Sequence, residues 1–525
     1  MNIVDAIDDP NLFAPWFPGA SWDGWRAILR AAFALPMSAE ERAFFRTVAD
    51  RDPPRQRVRE LWIVAGRRAG KDSVASVIAA HTAALFAPGR LLRPGERALV
   101  TCLACDRDQA KIVLGYVKSF FADNEMLRAL VTRDTAGGLE LENSVDIAVG
   151  TNSFRAVRGR AVLLAILDEC AFWRSDESAT PDEETYRALR PGMATIPDAM
   201  LVGISSPYRR AGLLYKKWRA HYGKDDDAVL VVRAPSLVLN PTLDRAIVDE
   251  AMEADPAAAA AEWLAEWRSD IESFVNPETV DACVVPGRHE LPPSSANAYL
   301  AFVDPSGGSA DSMTLAIAHT EGDRGVLDAV RERRPPFSPD DVVQEFAALV
   351  RSYDVSEVVG DRYAGEWPRE RFRMYGVEYL PAERPKSDIY RDLLPILNAH
   401  RADLLDLPRL KVQLCGLERR TARGGRDSID HSPGAHDDVA NAVAGVLTRT
   451  IGDNAMEVWR RLGASPSSAP AAPAAPAGRF ETRVRDGRLC NWDHALGCWH
   501  DPQNIELPDQ PEGRRARPQQ GEQTP

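Results

Sequence analysis

Short apolar runs alternate with amphipathic stretches between residues 60 and 235. The apolar runs have the length of buried strands, and the stretches between them repeat apolar residues at helical spacing. The predicted strands are Glu60–Ala65, Arg97–Leu103, Val145–Val149, Val162–Asp168, Met200–Ser205 and Ala228–Arg233. The predicted helices include Lys71–Phe86, Arg107–Phe121, Glu183–Arg190 and Leu213–His221. This alternation indicates an α/β domain with a parallel sheet covered on both faces.

The pattern changes after about residue 296. Three successive strands are predicted, followed by a helix, a fourth strand and a late helix. The strands are Tyr299–Asp304, Met313–His319, Gly325–Arg331 and Ser356–Asp361, and the helices are Pro339–Tyr353 and Asp437–Thr450. This order predicts a second domain with a mixed sheet, whose first three strands form a meander.

These patterns divide the chain into five segments. They are a helical lead-in at 1–50, a first domain at 51–270, a linker at 271–295, a second domain at 296–452 and a tail at 453–525. Near its start the tail contains the Pro-, Ala- and Ser-rich run 464–478. Such composition predicts a disordered linker followed by a flexible tail.

Composition bounds the environment of the chain. It has 525 residues, and its seven scattered cysteines favour reduced thiols in a cytoplasm over a disulfide framework. No apolar run is long enough to span a membrane, and the N-terminal segment lacks a signal-peptide pattern. The formal net charge of −13 does not exclude DNA as a partner, because DNA responds to local basic surface. It fits a protein to which a partner delivers the DNA.

A phosphate-binding-loop pattern lies between the first predicted strand and helix. Its residues are Ala65, Gly66, Arg67, Arg68, Ala69, Gly70 and Lys71. Glycine lets the backbone approach ATP, N–H groups at a helix N-terminus hold its phosphates, and Lys71 would contact the β- and γ-phosphates. The next residue is normally a Ser or Thr that binds Mg²⁺, so either Asp72 or Ser73 is expected to replace it. A glycine turn before a helix is the alternative explanation of the loop alone.

Two acids end the apolar strand 162–168. Asp168 is placed where α/β sheets bind ligands and would orient Mg²⁺, and Glu169 would act as general base towards water. Two acids that merely cap a buried strand are the alternative. Ser205 and Ser206, which end a later apolar strand, could sense the γ-phosphate or simply form a turn.

Arginines near these motifs offer stabilisation of transition-state charge. Arg67 and Arg68 lie inside the loop, and Arg155, Arg158 and Arg160 precede the acidic strand. One of them could act on the ATP of a neighbouring subunit. For each one, a solvated surface arginine is the alternative.

The second domain places four acids in the order strand, strand, helix. Asp304 and Asp361 each end a strand, and Asp437 and Asp438 open the last helix. Metal-dependent cleavage of phosphodiesters needs converging carboxylates that hold two Mg²⁺ or Mn²⁺ ions, and a ribonuclease-H-like fold supplies this order. Small residues in the last helix would let it pack close to the sheet. Taken alone, the helix acids could instead cap the helix.

Other polar groups have open roles. Asp311 could assist the acids, and a lesser role is expected for Asp328. Lys386 and the segment Arg419–Arg426 either contact phosphates or form a solvated basic face. The tail offers either a zinc site or a short aromatic docking segment. Its candidate ligands are Cys490, His494, Cys498 and His500.

In motif order and spacing, residues 35–450 resemble the large terminase subunit of tailed bacteriophages. The matching residues are Gly66–Lys71, Leu167–Glu169, Ser205–Pro207, Asp304, Asp361 and His436–Asp438. The resemblance implies an N-terminal ATPase of the additional-strand class and a C-terminal nuclease of the ribonuclease H type. Asp72 departs from the family pattern at the magnesium ligand.

The resemblance also implies binding partners and a cellular location. They are double-stranded DNA, the portal of an empty capsid, a small terminase subunit and further copies in a ring, in the cytoplasm of a bacterial host. Arg158 is the best match to an arginine that serves the neighbouring subunit. Two other functions stay open: an ATP-dependent helicase or translocase with an accessory nuclease, and an inactive prophage relic that binds DNA or portal.

Overall fold

The structure is a computed structural model of the chain. It describes residues 1–89, 91–151, 159–175, 178–309, 311–361, 367–421, 427–432, 435–451, 480–485, 488–493, 498–500 and 506–507. The chain divides into two compact units, Met1–Gly452 and Asp453–Pro525. No helix in the described ranges is long and apolar enough to cross a lipid bilayer.

The first half of the larger unit is built on a sheet that has eight strands within the described residues. They are β1 (Glu60–Ala65), β2 (Ala98–Ala104), β3 (Val131–Thr135), β4 (Gly138–Leu141), β5 (Val145–Thr151), β6 (Ala161–Asp168), β7 (Met200–Ser205) and β8 (Val229–Ala234). Their order is β3-β4-β5-β2-β6-β7-β1-β8. The six strands from β5 to β8 in this order are parallel, as predicted, whereas the unpredicted strands β3 and β4 add an antiparallel edge.

Helices cover both faces of this sheet. They are α1 (Ile3–Asp8), α2 (Asp23–Ala32), α3 (Ala39–Ala49), α4 (Lys71–Leu85), α5 (Arg107–Asp123), α6 (Glu125–Arg128), α7 (Pro181–Met193), α8 (Gly212–His221), α9 (Ser236–Leu239), α10 (Arg245–Ala254) and α11 (Pro256–Leu264). Successive strand residues point to opposite faces. Leu61 and Ile63 pack with α2 and α4 in one hydrophobic cluster, and Trp62 and Val64 pack with α7 and α8 in another. The two-sided cover predicted from the sequence is confirmed.

The second half contains a six-stranded mixed sheet and a three-stranded antiparallel sheet within the described residues. The strands are β9 (Ile271–Ser273), β10 (Tyr299–Asp304), β11 (Met313–Glu321), β12 (Arg324–Arg333), β13 (Glu357–Gly360), β14 (Glu378–Pro381), β15 (Ala402–Asp403), β16 (Leu417–Thr421) and β17 (Asp427–His431). The helices are α12 (Pro277–Cys283), α13 (Pro339–Ser352), α14 (Trp367–Met374), α15 (Lys386–Asn398), α16 (Pro408–Gly416) and α17 (Asp438–Ile451).

The larger of these sheets has the order β14-β13-β10-β11-β12-β15. Strands β10, β11 and β12 form the predicted antiparallel meander, and β13 pairs parallel to β10. The smaller sheet has the order β17-β16-β9. Since β9 lies within 271–295, the segment predicted as a linker contributes a strand to the second half, and α12 from the same segment contacts α15 and α16.

Helix α17 packs close to the sheet at a glycine. A Cβ on Gly445 would lie 2.4 Å from ring atoms of Phe302 on β10, which is closer than carbon atoms can approach. The side-chain-free position therefore lets the helix lie against β10. The prediction that small residues allow close packing is confirmed at this position.

We expect Gly445→Ala to lower the thermal midpoint of unfolding, although Ala is intrinsically the better helix residue. Overpacking at Phe302 should destabilise the fold by about 1–3 kcal/mol. Gly115→Ala is the matched control, because Gly115 lies in α5 with no atom within 4 Å of its added Cβ. That change should stabilise by about 0.5–1 kcal/mol. Equal shifts of the midpoint in the two variants would contradict the packing of α17.

The smaller unit, described by itself, contains a four-stranded antiparallel sheet within its described residues. Its strands are β18 (Phe480–Arg485), β19 (Arg488–Asp493), β20 (Cys498–His500) and β21 (Glu506–Leu507). The sequence did not predict this sheet in the tail. The predicted disordered run 464–478 and His494 of the candidate zinc site lie outside the described residues.

Candidate functional site

The loop between β1 and α4 turns through two left-handed positions. Arg68 has φ 58° and Gly70 has φ 93°. The N–H groups of Arg68 and Gly70 donate to no acceptor among the residues that the structure describes. Successive N–H groups in such a turn, followed by a helix N-terminus, form a concavity that binds anions. The loop therefore has the backbone geometry that holds a phosphate.

Side chains from outside this loop donate hydrogen bonds to its backbone carbonyl groups. Trp25 Nε1 donates to Ala69 O at 2.7 Å, Asn240 Nδ2 donates to Arg68 O at 2.8 Å, and Ser236 Oγ donates to Arg67 O at 2.7 Å. The Arg67 side chain lies 3.1 Å from Glu262 Oε1. These anchors come from α2, from the α9 region and from α11, and they were not predicted from the sequence.

Lys71 is buried at the first position of α4. Its Nζ donates to Ala65 O and Gly66 O at 3.2 Å each and to Ser206 Oγ at 3.0 Å. The same Nζ lies 3.5 Å from Glu169 Oε1. The ammonium group is thus placed beside the loop, with the Glu169 carboxylate as a nearby counter-charge.

Asp168 ends β6 and is fully buried. Its Oδ2 accepts a hydrogen bond from Gln109 Nε2 at 3.3 Å, and its Oδ1 has no hydrogen-bond partner among the described residues. Burial, and then the nearby charges of Asp72 and Glu169, raise the pKa of Asp168 to about 8. A buried carboxylate with an unpaired oxygen is unfavourable unless a cation approaches it.

Asp72 lies in the first turn of α4, near Asp168. Burial raises the pKa of Asp72, Lys71 opposes that rise, and Glu169 adds to it. Asp72 and Asp168 together offer the hard oxygen ligands that Mg²⁺ prefers, so the residues fit a magnesium ion held with ATP. Ser73 is the next residue of α4 and is partly buried. That either Asp72 or Ser73 binds the magnesium ion stays a prediction.

The backbone turns sharply at Glu169, directly after β6. Its φ of 46° lies in the left-handed region, which a non-glycine residue enters only at some cost. This turn brings its Oε2 to Ser205 Oγ at 2.9 Å and to the N–H of Ser206 at 3.2 Å, both of which donate to it. Ser206 Oγ in turn donates to Ala65 O at 3.1 Å. The two serines therefore touch both Glu169 and the loop.

Of the three arginines predicted just before the acidic strand, only Arg160 lies in the described residues. Arg160 pairs with Asp146 at 2.8 Å on the same half of the chain. Arg155 and Arg158 lie outside the described residues, so the predicted role of Arg158 on a neighbouring subunit stays a prediction.

A second acidic site lies at the ends of β10 and β13. The two strands are parallel neighbours, and their register pairs the residues that precede Asp304 and Asp361. Burial raises the pKa of Asp304 well above its usual range. Asn441 donates a hydrogen bond that opposes this rise, and Asp438, Asp437 and Asp361 add to it. The four predicted acids are therefore close enough to act on one another.

The two helix acids are both buried at the start of α17. The helix begins at Asp438, one residue later than predicted, and the carbonyl of Asp437 accepts from the N–H of Asn441 at 2.7 Å. Burial and the charge of Asp437 raise the pKa of Asp438 to about 6. Its Oδ2 has no hydrogen-bond partner within the described ranges. Capping alone does not require two buried acids beside Asp304, so the set fits divalent cations better.

Lys386 lies inside this acidic site. Its Nζ lies 2.9 Å from Asp437 Oδ2 and 2.8 Å from Asp430 Oδ1, and Tyr390 OH donates to Asp437 Oδ2 at 2.8 Å. Burial lowers the pKa of Lys386, but Asp437 and Asp430 outweigh it and raise that pKa. Atoms of Asp430, His431 and Asp437 also lie within 4.8 Å of one another, a spacing that can hold a cation. Lys386 therefore balances carboxylates rather than forming a solvated basic face.

The remaining predicted groups lie at or beyond the edge of this site. His436 Nδ1 is 3.5 Å from Asp311 Oδ1, next to the helix acids. Asp328 forms a buried pair with His319 at 2.7 Å. Arg419 Nε donates to Asp427 Oδ2 at 2.6 Å, and residues 422–426 lie outside the described part.

No protein-family model and no curated protein matches the chain. The solved structures similar to it include the HK97 bacteriophage large terminase, with 17% identity, a TM-score of 0.35, and coverage of 81% of this chain and 99% of that one. A large terminase from a thermophilic bacteriophage, in its second crystal form, shows 12% identity, a TM-score of 0.37 and coverage of 83% and 99%.

A third similar structure is the large terminase nuclease from the thermophilic phage G20c with bound magnesium. It has 14% identity and a TM-score of 0.30, and the match covers 33% of this chain and 95% of that one.

Proposed function

We propose that the chain is a large terminase subunit that uses ATP to move double-stranded DNA into a viral procapsid and cuts the DNA with a metal-dependent nuclease. One observation carries the proposal. A phosphate-binding loop with Lys71, Asp168 and Glu169 occurs in the same compact unit as a cluster of four aspartates, of which Asp437 and Asp438 are buried.

In the first site, the backbone N–H groups of the loop and Lys71 bind the phosphates of ATP. Glu169 takes a proton from the water that attacks the γ-phosphorus, the bond to the β,γ-bridging oxygen breaks, and ADP leaves. Ser205 and Ser206 hold the Glu169 carboxylate in place through Oε2. A magnesium ion bound by Asp168, with Asp72 or Ser73, supplies charge neutralisation at the phosphates.

In the second site, the carboxylates of Asp304, Asp361, Asp437 and Asp438 bind the catalytic cations. Mg²⁺ or Mn²⁺ held there supplies Lewis-acid activation of water and of the leaving oxygen. Lys386 and Tyr390 fix the orientation of the Asp437 carboxylate. Asn441 donates to Asp304 and fixes that side chain.

The partners follow from the same proposal. The substrate is concatemeric double-stranded DNA, which a small terminase subunit delivers and the portal of the procapsid receives. Several copies of the chain form a ring on the portal in the cytoplasm of the bacterial host, and Arg158 of one copy serves the ATP of the next. The motif order, which resembles that of large terminase subunits, supports these partners.

Translocation on duplex DNA tests this function against its rivals. We expect the chain, assembled with procapsids, to protect duplex DNA from nuclease digestion only when ATP is supplied. The Lys71→Ala variant should protect none, because it lacks the phosphate-binding ammonium group. Strand separation on a forked substrate without protection would indicate a helicase, and neither activity would indicate a relic.

A further inference from the structure

A cavity of about 100 Å³ lies between two loops of the first half and the start of α17. Arg174 and Arg209 line it from the loops that follow β6 and β7, the strands that carry the acids and serines of the ATP site. Arg409, Gln413 and His436 line it from the second half. His436 directly precedes the metal-site acid Asp437, so the cavity borders the candidate nuclease site.

Two of these side chains have N–H groups that lack acceptors. Gln413 is 5% exposed, and its Oε1 accepts from the N–H of Ala440 at 2.9 Å. Its Nε2, like Nη1 of Arg209, is buried with no hydrogen-bond partner among the described residues. Buried donors without acceptors are unfavourable, so both nitrogens favour an oxygen-rich ligand.

Among the described residues around the cavity, one arginine has no carboxylate as an ion-pair partner. Arg174 lies 3.9 Å from Glu418 Oε1, and Arg409 Nε lies 2.7 Å from Glu332 Oε1. Arg209 forms no ion pair with any residue that the structure describes. No carboxylate is found among the described lining residues. Arginine and amide donors around an uncompensated positive charge are typical of phosphate sites.

We propose that this cavity binds a phosphate group. Two sources share that chemistry: a backbone phosphate of the DNA strand beside the nuclease acids, and inorganic phosphate released from ATP. Gln413 also accepts from the N–H of Ala440 in the first turn of α17, so a phosphate on its Nε2 is linked through this side chain to the helix that carries Asp438. The assignment to DNA rests on the proposed function, whereas phosphate binding itself does not.

Calorimetric titration with inorganic phosphate tests the binding. The full chain carries Lys71→Ala, which disables the phosphate-binding loop, and EDTA removes metals. Arg209→Gln should weaken phosphate binding about tenfold or more, because it removes a charge-assisted hydrogen bond. Arg210→Gln is the matched control, since Arg210 is the exposed neighbour of Arg209. It should leave the affinity unchanged.

A second variant keeps the test decisive if Arg209→Gln fails to fold. Gln413→Glu keeps the acceptor for Ala440 but replaces the Nε2 donor with a carboxylate oxygen, so it should abolish phosphate binding. No binding before substitution, or equal losses in Arg209→Gln and Arg210→Gln, would overturn the proposal. Both results are read without ATP turnover or DNA cleavage, so they are distinguishable from failure of the proposed function.

A second measurement, of duplex DNA binding, identifies the source of the phosphate. The dissociation constant of a short duplex is measured in EDTA for the same variants. If the phosphate belongs to DNA, Arg209→Gln weakens duplex binding and inorganic phosphate competes with the duplex. If it comes from ATP hydrolysis, duplex binding is unchanged while phosphate binding is lost.

Discussion

The Glu169→Gln variant should bind ATP but hydrolyse it about a thousandfold more slowly, within the range that general base catalysis contributes. The amide oxygen can still accept from Ser205 and Ser206, so the side chain should keep its position. It cannot take the proton of the attacking water. The change therefore separates nucleotide binding from chemistry, and both are measurable by nucleotide titration and by release of phosphate.

The matched control for this variant is Glu250→Gln. Glu250 is exposed on α10, so its loss should leave ATP turnover unchanged. Full ATPase activity in Glu169→Gln would exclude Glu169 as the base. Loss of both binding and turnover would instead point to a structural role in the contact with Lys71.

The Asp304→Asn variant should lose DNA cleavage and keep ATP hydrolysis. Asp304 lies among the other three acids, and its neutral replacement removes a cation ligand. The loss of cleavage activity should exceed the effect of removing an outer-shell partner of a metal, which is about 10–100-fold. Plasmid cleavage and ATP turnover are measured on one preparation.

Stability provides an internal control for Asp304→Asn. Since burial and the neighbouring acids already disfavour a charged Asp304, the neutral Asn should leave the metal-free variant at least as thermally stable as the wild type. Asp323→Asn, at an exposed turn between β11 and β12, should change neither activity. Unchanged cleavage in Asp304→Asn would remove this aspartate from the metal site.

The buried strands were predictable because a strand covered on both faces is apolar throughout. All eight residues of β6 and all seven of β2 are buried, and every one of them is apolar except Asp168 and Thr101. The edge strand β3 has the sequence Val-Thr-Arg-Asp-Thr, and its three central residues are exposed. No apolar run marks such a strand, and its pairing with β4 depends on the sheet beside it.

The acids of both sites were predictable for a related reason. Asp168 and Asp304 each end an apolar strand, where the carboxyl end of a sheet binds ligands. Their partners depend on contacts between distant parts of the chain. Gln109 is 59 residues from Asp168, and Lys386 is 51 residues from Asp437. Nothing local marks Gln109 as a partner of Asp168. The sequence left Lys386 between a phosphate contact and a solvated basic face, because its neighbours in space are distant in the chain.

Plasmid cleavage by the purified chain, run beside Asp361→Asn, tests the central claim most directly. With Mg²⁺ or Mn²⁺, the wild-type chain should convert supercoiled plasmid to nicked and linear forms, and EDTA should stop the reaction. The Asp361→Asn variant should leave the plasmid supercoiled while it hydrolyses ATP at the wild-type rate. Cleavage that persists in the variant, or a folded wild-type chain that cuts with neither metal, would contradict the account.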